Sequence, residues 1–170
     1  MTEPIKVLVA LLLAELDLQP EQVTLYNQKF DIPSDERLYL SLSVLGAKDF
    51  AVRNKWENDP ISGELVEVQG INRQQLISVM AYSRSSAARE RSWEIPLVFS
   101  SVRAEQAMEV HAFSIGRLPT SMNDVSDTEG TSRLNRYSLT FALQSRYEKV
   151  KPVPFYDQFD SNSPVIITNP

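Results

Sequence analysis

The sequence contains no cysteine, one histidine and only five glycines in 170 residues. Without cysteine, the chain cannot form a disulfide, a thiolate zinc site, an iron–sulfur cluster or a cysteine nucleophile. A single histidine excludes a metal site that draws two imidazoles from one chain, and so few glycines leave no glycine-rich loop for phosphate. These shortages exclude many classes of enzyme.

The charge balance also restricts the partners that we expect. Seventeen lysines and arginines stand against 22 acidic residues, for a net charge of −5, which is the wrong sign for broad binding to nucleic acid or anionic membranes. The longest apolar run, residues 7–14, is far shorter than the roughly 20 residues that span a bilayer, and no signal-peptide cleavage pattern follows it. We therefore predict a cytosolic product with no membrane partner.

Hydrophobic periodicity predicts the order of the elements. A nearly all-apolar helix over 3–16, capped by Thr2, is buried either by its own core or by a neighbouring subunit. A strand over 38–44 is expected to end at Gly46. A second helix begins at Ser85 or Ser86 and runs to about 103, and Pro96 is expected to kink or break it near Ser92. The other predicted strands are 23–26, 50–57 and 64–68 around a turn at 58–63, 76–82, 110–118 and 136–144, with a polar loop at 119–132.

This order predicts an α+β fold with a mixed or mostly antiparallel sheet of about five strands and helices packed on one face. We expect residues 1–150 to form a single domain with a hairpin extension near residues 50–68. Prolines at 152, 154, 164 and 170 predict an extended C-terminal arm over 151–170.

No group of residues predicts catalysis or metal binding. The acidic stretch 123–130 superficially resembles a calcium loop, but its register places Val125 and Arg136 where carboxylates are needed. His111, expected at a strand end, has no nucleophile-elbow sequence to accompany it. We therefore predict that the protein is not an enzyme and has no catalytic residue, cofactor or metal ligand.

Charge is unevenly distributed along the chain. Residues 3–36 carry seven acidic and two basic side chains, whereas residues 133–151 carry five basic and one acidic. Either one copy's basic edge meets the next copy's acidic edge in a head-to-tail contact, or the two regions neutralise each other within one subunit. Binding of nucleic acid by the basic strand is disfavoured because Tyr137 and Phe141 lie on its apolar face.

From residue 68 onward, the chain resembles the tail terminator proteins, or neck terminator proteins, of long-tailed bacteriophages. The resemblance rests on the order and spacing of six segments. They are QGINRQQ (69–75), YSRSSAARER (82–91), FSIGRLPTS (113–121), DVS (124–126), NRYSL (135–139) and YDQF (156–159).

This resemblance implies a structural virion protein, assembled in the host cytoplasm and located in the tail or neck. It implies a homo-hexameric ring at the head-proximal end of the tail, which terminates polymerisation of the tail tube and joins the tail to the head. The implied partners are further copies of the chain, the tail tube protein, a head-side connector or stopper protein and, in a contractile tail, the sheath protein, with DNA only passing through the lumen. The alternative is another tail, tail-completion or baseplate subunit.

The resemblance also implies polar contacts between neighbouring subunits or with the tube. In addition, we predict that aromatic residues of the C-terminal arm dock either on an adjacent copy or on their own subunit, and that the hairpin tip reaches the tube or the connector. The predicted interface residues are Arg84, Arg89, Arg91, Arg117, Asp124, Asp127, Arg136, Phe155, Tyr156 and Phe159.

Overall fold

The fold was determined from a computed structural model, which describes residues 3–25, 35–129 and 132–153. Four helices, one 3-10 turn (Pro20–Gln22) and seven strands follow one another in these ranges. The helices are α1 (Pro4–Glu15), α2 (Ala87–Arg91), α3 (Glu94–Phe99) and α4 (Val102–His111). The strands are β1 (Val23–Leu25), β2 (Tyr39–Asn58), β3 (Leu65–Ser83), β4 (Phe113–Ile115), β5 (Asn123–Asp124), β6 (Asp127–Glu129) and β7 (Ser132–Pro152).

The strands form a mixed sheet in the order β1-β2-β3-β7-β4. The edge strand β1 runs parallel to β2, whereas β4, β5 and β6 each pair antiparallel with β7. Apolar side chains of alternate strand positions share one core with the helices, including Leu40 and Leu42 of β2 and Ile77 and Val79 of β3. The predicted α+β class, with helices packed on one face of the sheet, is therefore confirmed.

Two strands are longer than the sequence pattern predicted. Strand β2 continues through Gly46 instead of ending there, and β3 continues through Gly70, so four predicted segments become two long neighbouring strands. Nothing lies within 4 Å of the position that a Cβ would occupy on Gly46. Neither a turn nor a close contact therefore requires glycine at this position. Pairing of β2 with β3 keeps both glycines in extended conformation.

Helix α1 is confirmed, with Glu3 rather than the predicted Thr2 at its N-cap position. Ile5, Leu8 and Leu12 are almost completely buried in the same core as the sheet. Of the two explanations for this apolar helix, burial by its own subunit therefore applies.

The predicted break in the second helix is also confirmed, since α2 ends before Ser92 and α3 begins at Glu94. Pro96 lies in the first turn of α3, where its missing N–H is not needed. The chain then begins a separate helix, α4, whose first turn is capped by Ser101, and this helix extends through His111. The prediction of a strand over 110–118 was wrong at both ends, because α4 runs through His111, with Ala112 at its C-cap in a left-handed conformation (φ 52°), and β4 extends only from Phe113 to Ile115.

Other boundaries also differ from the predictions. Strand β7 extends well beyond 136–144; it pairs with β6, β5 and β4 between Ser132 and Ser145, and β3 is its neighbour on the other side. The predicted polar loop contains β5 and β6. The predicted C-terminal arm begins within β7, and its residues beyond 153 lie outside the described part of the chain.

The chain forms two compact units. The first contains Met1–Val52 and Ile71–Tyr147, and the second contains Arg53–Gly70 and Glu148–Pro170. Every member of the main hydrophobic core belongs to the first unit. In the second unit, Val66 and Val68 are buried.

Two buried serines, Ser83 and Ser145, are expected to respond in opposite ways to replacement by alanine. The Ser83 hydroxyl donates to the carbonyl of Ser85 (2.7 Å) and accepts from the N–H of Ala88 (2.9 Å). The buried Ser145 hydroxyl has no hydrogen-bond partner within the ranges that the structure describes. We expect Ser83→Ala to lower the free energy of unfolding by about 1–3 kcal/mol, and Ser145→Ala to leave it unchanged or raise it by up to about 1 kcal/mol. Urea unfolding of both variants measures the difference, and a larger loss from Ser145→Ala would contradict this prediction.

Candidate functional site

Three of the six segments that carry the phage resemblance converge at the start of β7. The side-chain amide of Asn135 donates to the carbonyl of Ser85 (2.7 Å), which joins segment 135–139 to segment 82–91. Asp124 pairs with Tyr137 in the register of β5 and β7. Asp124 and Arg136 therefore lie on the paired strands β5 and β7, and Arg84 follows the end of β3, in the segment that Asn135 contacts.

The Asp124 and Arg136 positions are connected through Ser126. The Ser126 hydroxyl donates to the Asp124 carboxylate (2.5 Å) and accepts from the Arg136 backbone N–H (3.0 Å). The Asp124 carboxylate also accepts from the Ser126 backbone N–H (2.9 Å). This network fixes the loop between β5 and β6, a role that the sequence did not predict.

The remaining interface candidates are scattered. Arg89 is exposed on α2, and Arg117 is exposed just after β4. The Arg91 guanidinium donates to the carbonyl of Leu16 (2.8 Å) and pairs with Glu94 (2.9 Å), so it ties α2 to the end of α1 within one subunit. The backbone of Asp127 lies in β6, whereas Phe155, Tyr156 and Phe159 are outside the described residues.

In the sheet, β1 of the acidic segment and β7 of the basic segment lie on either side of β2 and β3. The end of the acidic segment nevertheless lies near the start of β7, because the Ser85 hydroxyl donates to the Glu36 carbonyl (2.6 Å) and the Ser85 carbonyl accepts from Asn135 (2.7 Å). Three acids of the first segment form ion pairs with basic residues outside the second: Glu3 with Lys6, Glu15 with Arg103, and Asp35 with Arg37. Part of the acidic segment is therefore neutralised by residues other than those of β7.

The most unusual surface is a stretch of β2 that we call the hairpin arm, Leu45 to Asn58. All fourteen of its residues are exposed, so both faces of the strand contact solvent. Leu45, Phe50, Val52 and Trp56 are among them. Beyond Leu42, β2 also has no partner on its β1 side among the residues described. A long exposed strand edge with apolar side chains is a template for pairing with another chain.

The turn that ends the hairpin arm is ordered by Asp59. Its carboxylate accepts hydrogen bonds from the N–H of Ile61 (2.8 Å) and, at 3.4 Å, from that of Ser62. Gly63 adopts a left-handed φ of 71°, and its N–H donates to the Asp59 carbonyl. Within this turn, Ile61 is 95% exposed to solvent.

A polar cross-strand group stands near the base of the hairpin arm, within the first unit. The Arg73 guanidinium on β3 forms two hydrogen bonds with the carboxylate of Asp49 on β2, at 2.6 and 2.8 Å. It also lies over the ring of Tyr147 on β7, 5.4 Å from the centroid. These hydrogen bonds hold the pKa of Asp49 below its usual value.

The lowered pKa of Asp49 predicts a pH-dependent contribution to stability. A carboxylate whose pKa is lower in the folded state stabilises the fold above its unfolded pKa of about 3.9, and this contribution is lost as the pH falls through the folded value. We therefore expect Asp49→Asn to lower the melting temperature at pH 7 but not near pH 2. Thermal unfolding of both proteins across this range is the measurement, and an equal difference at both pH values would contradict the assignment.

A second exposed apolar surface lies on the helix layer. Trp93, Leu97 and Val102 are 62%, 57% and 68% exposed, respectively. Beside them lies a cleft of about 400 Å³, lined by residues at the end of α1 and along α3. We call it the Trp93 cleft. Its lining is Glu15, Leu16, Trp93, Glu94, Leu97, Val98 and Ser101.

Across residues 3–25, 35–129 and 132–153, no three acidic or histidine side chains form a group able to hold a metal ion. No helix in these ranges is both long and apolar enough to cross a membrane. His111 ends α4, so the expectation of a strand-end histidine was wrong. The exposed strand, the open sheet edge and the apolar cleft are suited to binding other protein chains.

No protein-family model matches this chain, and no curated protein is similar to it. Its own residues and their geometry are therefore the basis for a functional assignment.

Proposed function

We propose that the protein is a structural subunit of a bacteriophage tail. It forms a ring at the head-proximal end, stops the growth of the tail tube and joins the tail to the head-side connector. The single observation that carries this proposal is the hairpin arm, since fourteen consecutive exposed residues with an open edge suit a subunit that functions inside an assembly. The order of the six phage-like segments supports the choice of the tail end.

The charge distribution supports a ring. A closed ring of more than two subunits requires heterologous contacts, in which two different surfaces of the same chain meet. Strands β1 and β7, which belong to the acidic and basic segments, lie on opposite sides of β2 and β3 in the sheet and offer two different surfaces. The net negative charge is compatible with a lumen through which DNA slides.

Deletion of the gene from the phage that carries it tests the proposal directly. We expect overlong tails that lack heads, measured by negative-stain electron microscopy, and restoration of normal length by a plasmid copy. Normal-length tails attached to heads would refute the terminator function. Absent tails, or tails with defective distal ends, would instead support the alternative of a baseplate or completion subunit.

A further inference from the structure

Both tryptophans of this chain are on its surface. Trp56 is 60% exposed and Trp93 is 62% exposed, although tryptophan is on average highly buried. Tryptophan is also one of the residues that most often dominate the binding energy of protein interfaces. One tryptophan belongs to the hairpin arm and the other to the Trp93 cleft, so the two mark different surfaces.

The Trp93 cleft is suited to an apolar side chain accompanied by positive charge. Leu16, Trp93, Leu97 and Val98 supply its apolar wall, and its only charged lining residues are the acids Glu15 and Glu94. Each acid also forms an ion pair with an arginine outside the lining, Arg103 and Arg91 respectively. The cleft therefore offers hydrophobic contact flanked by carboxylates.

The hairpin arm carries the complementary chemistry. Trp56 follows Arg53 and Lys55, and between residues 45 and 56 three basic side chains stand against Asp49 alone, whose carboxylate is bound by Arg73. Lys55 pairs with the exposed Glu57, an interaction that contributes little in solvent. Strand alternation places Arg53 and Lys55 on the face opposite Trp56, and their long side chains are able to reach around the open edge.

We propose that Trp56 of one copy docks into the Trp93 cleft of the next copy, with Arg53 and Lys55 near the Glu15 and Glu94 carboxylates. The contact joins two different surfaces of one chain, so repetition of it generates a ring or a filament rather than a two-fold dimer. The inference rests on the proposed ring and identifies the surfaces that form it.

Cross-linking between single-cysteine copies tests this contact, because the natural chain has no cysteine. Asn54→Cys places a thiol beside Trp56, and Val102→Cys places one beside the cleft. After the two variants are mixed and treated with a short bismaleimide, we expect linked dimers that contain one copy of each variant. Native mass spectrometry of the same samples reports the ring separately.

The outcomes distinguish the contact from the function. A hexamer without mixed links, or with links between two Asn54→Cys copies, would overturn this contact and leave the ring intact. A protein that remains monomeric at every concentration, alone and with tail tubes, would overturn both.

Tryptophan substitution provides a second measurement. We expect Trp56→Ala and Trp93→Ala each to raise the subunit concentration at half-assembly roughly thirtyfold, as loss of an interface anchor does. The double variant should be little worse than either single variant, because both changes remove the same contact. Val110→Ala, an exposed change elsewhere on the helix layer, serves as the control and should assemble normally. Normal assembly of either tryptophan variant would reject the docking.

Discussion

Replacement of Phe99 by alanine is expected to lower the free energy of unfolding by about 3–5 kcal/mol. Phe99 is only 1% exposed and lies at the end of α3, where its ring centroid is 5.0 Å from that of Phe141 on β7. The two rings are tilted by 54°, in the range that favours edge-to-face contact. Removal of the ring leaves a cavity between the helix layer and the sheet.

Denaturant unfolding followed by circular dichroism measures the effect of Phe99→Ala. Val110→Ala is the control, because Val110 lies on the neighbouring helix α4, is 77% exposed and is not part of the Trp93 cleft. We expect that change to stay within about 0.5 kcal/mol of the natural protein. Similar losses from both substitutions would mean that Phe99 is not part of the central core.

The second large effect concerns assembly rather than folding. In a variant with residues 53–70 replaced by Asn-Gly, we expect complete loss of the oligomer with retention of cooperative unfolding. The main core contains no residue from that range, so the first unit keeps its hydrophobic contacts. Asn-Gly is the preferred two-residue connection between neighbouring antiparallel strands.

Size-exclusion chromatography with light scattering reports the oligomeric state of the deletion variant, and thermal unfolding reports its fold. A smaller deletion that replaces only residues 59–64 by Asn-Gly removes the tip but keeps Trp56, and it should still assemble. If the larger deletion formed rings, residues 53–58 of the hairpin arm, Trp56 included, would have no role in contacts between copies.

The sequence allowed α1 and the α+β class to be predicted because both depend on local periodicity. The apolar spacing of α1 and the alternation around Leu40 and Leu42 directly reflect burial in one core. The glycines at 46 and 70 misled the prediction, since glycine often ends a strand but the neighbouring strand decides whether it does. The extent of α4 was missed because Val110 and His111 have no apolar periodicity of their own.

The candidate site was less predictable from sequence. Arg84, Asp124 and Arg136 are far apart in the chain, and only the pairing around β7 brings their segments together. The exposure of the hairpin arm was not predictable, because Asp49, Arg53, Lys55 and Glu57 alternate with Phe50, Val52 and Trp56 as in a strand with one buried face. The structure shows that the apolar side chains of this strand are exposed as well.

The short edge strand β1 also has a consequence for the unassembled protein in the cell. Among the described residues it covers β2 only as far as Leu42, so an isolated copy exposes an unpaired strand edge to solvent. Lys48, Arg53 and Lys55 lie along this edge, where charged residues act as gatekeepers against edge-to-edge aggregation. If this edge binds a neighbouring chain, the same charges limit premature association, so the solubility of the isolated chain restricts how apolar the edge can be.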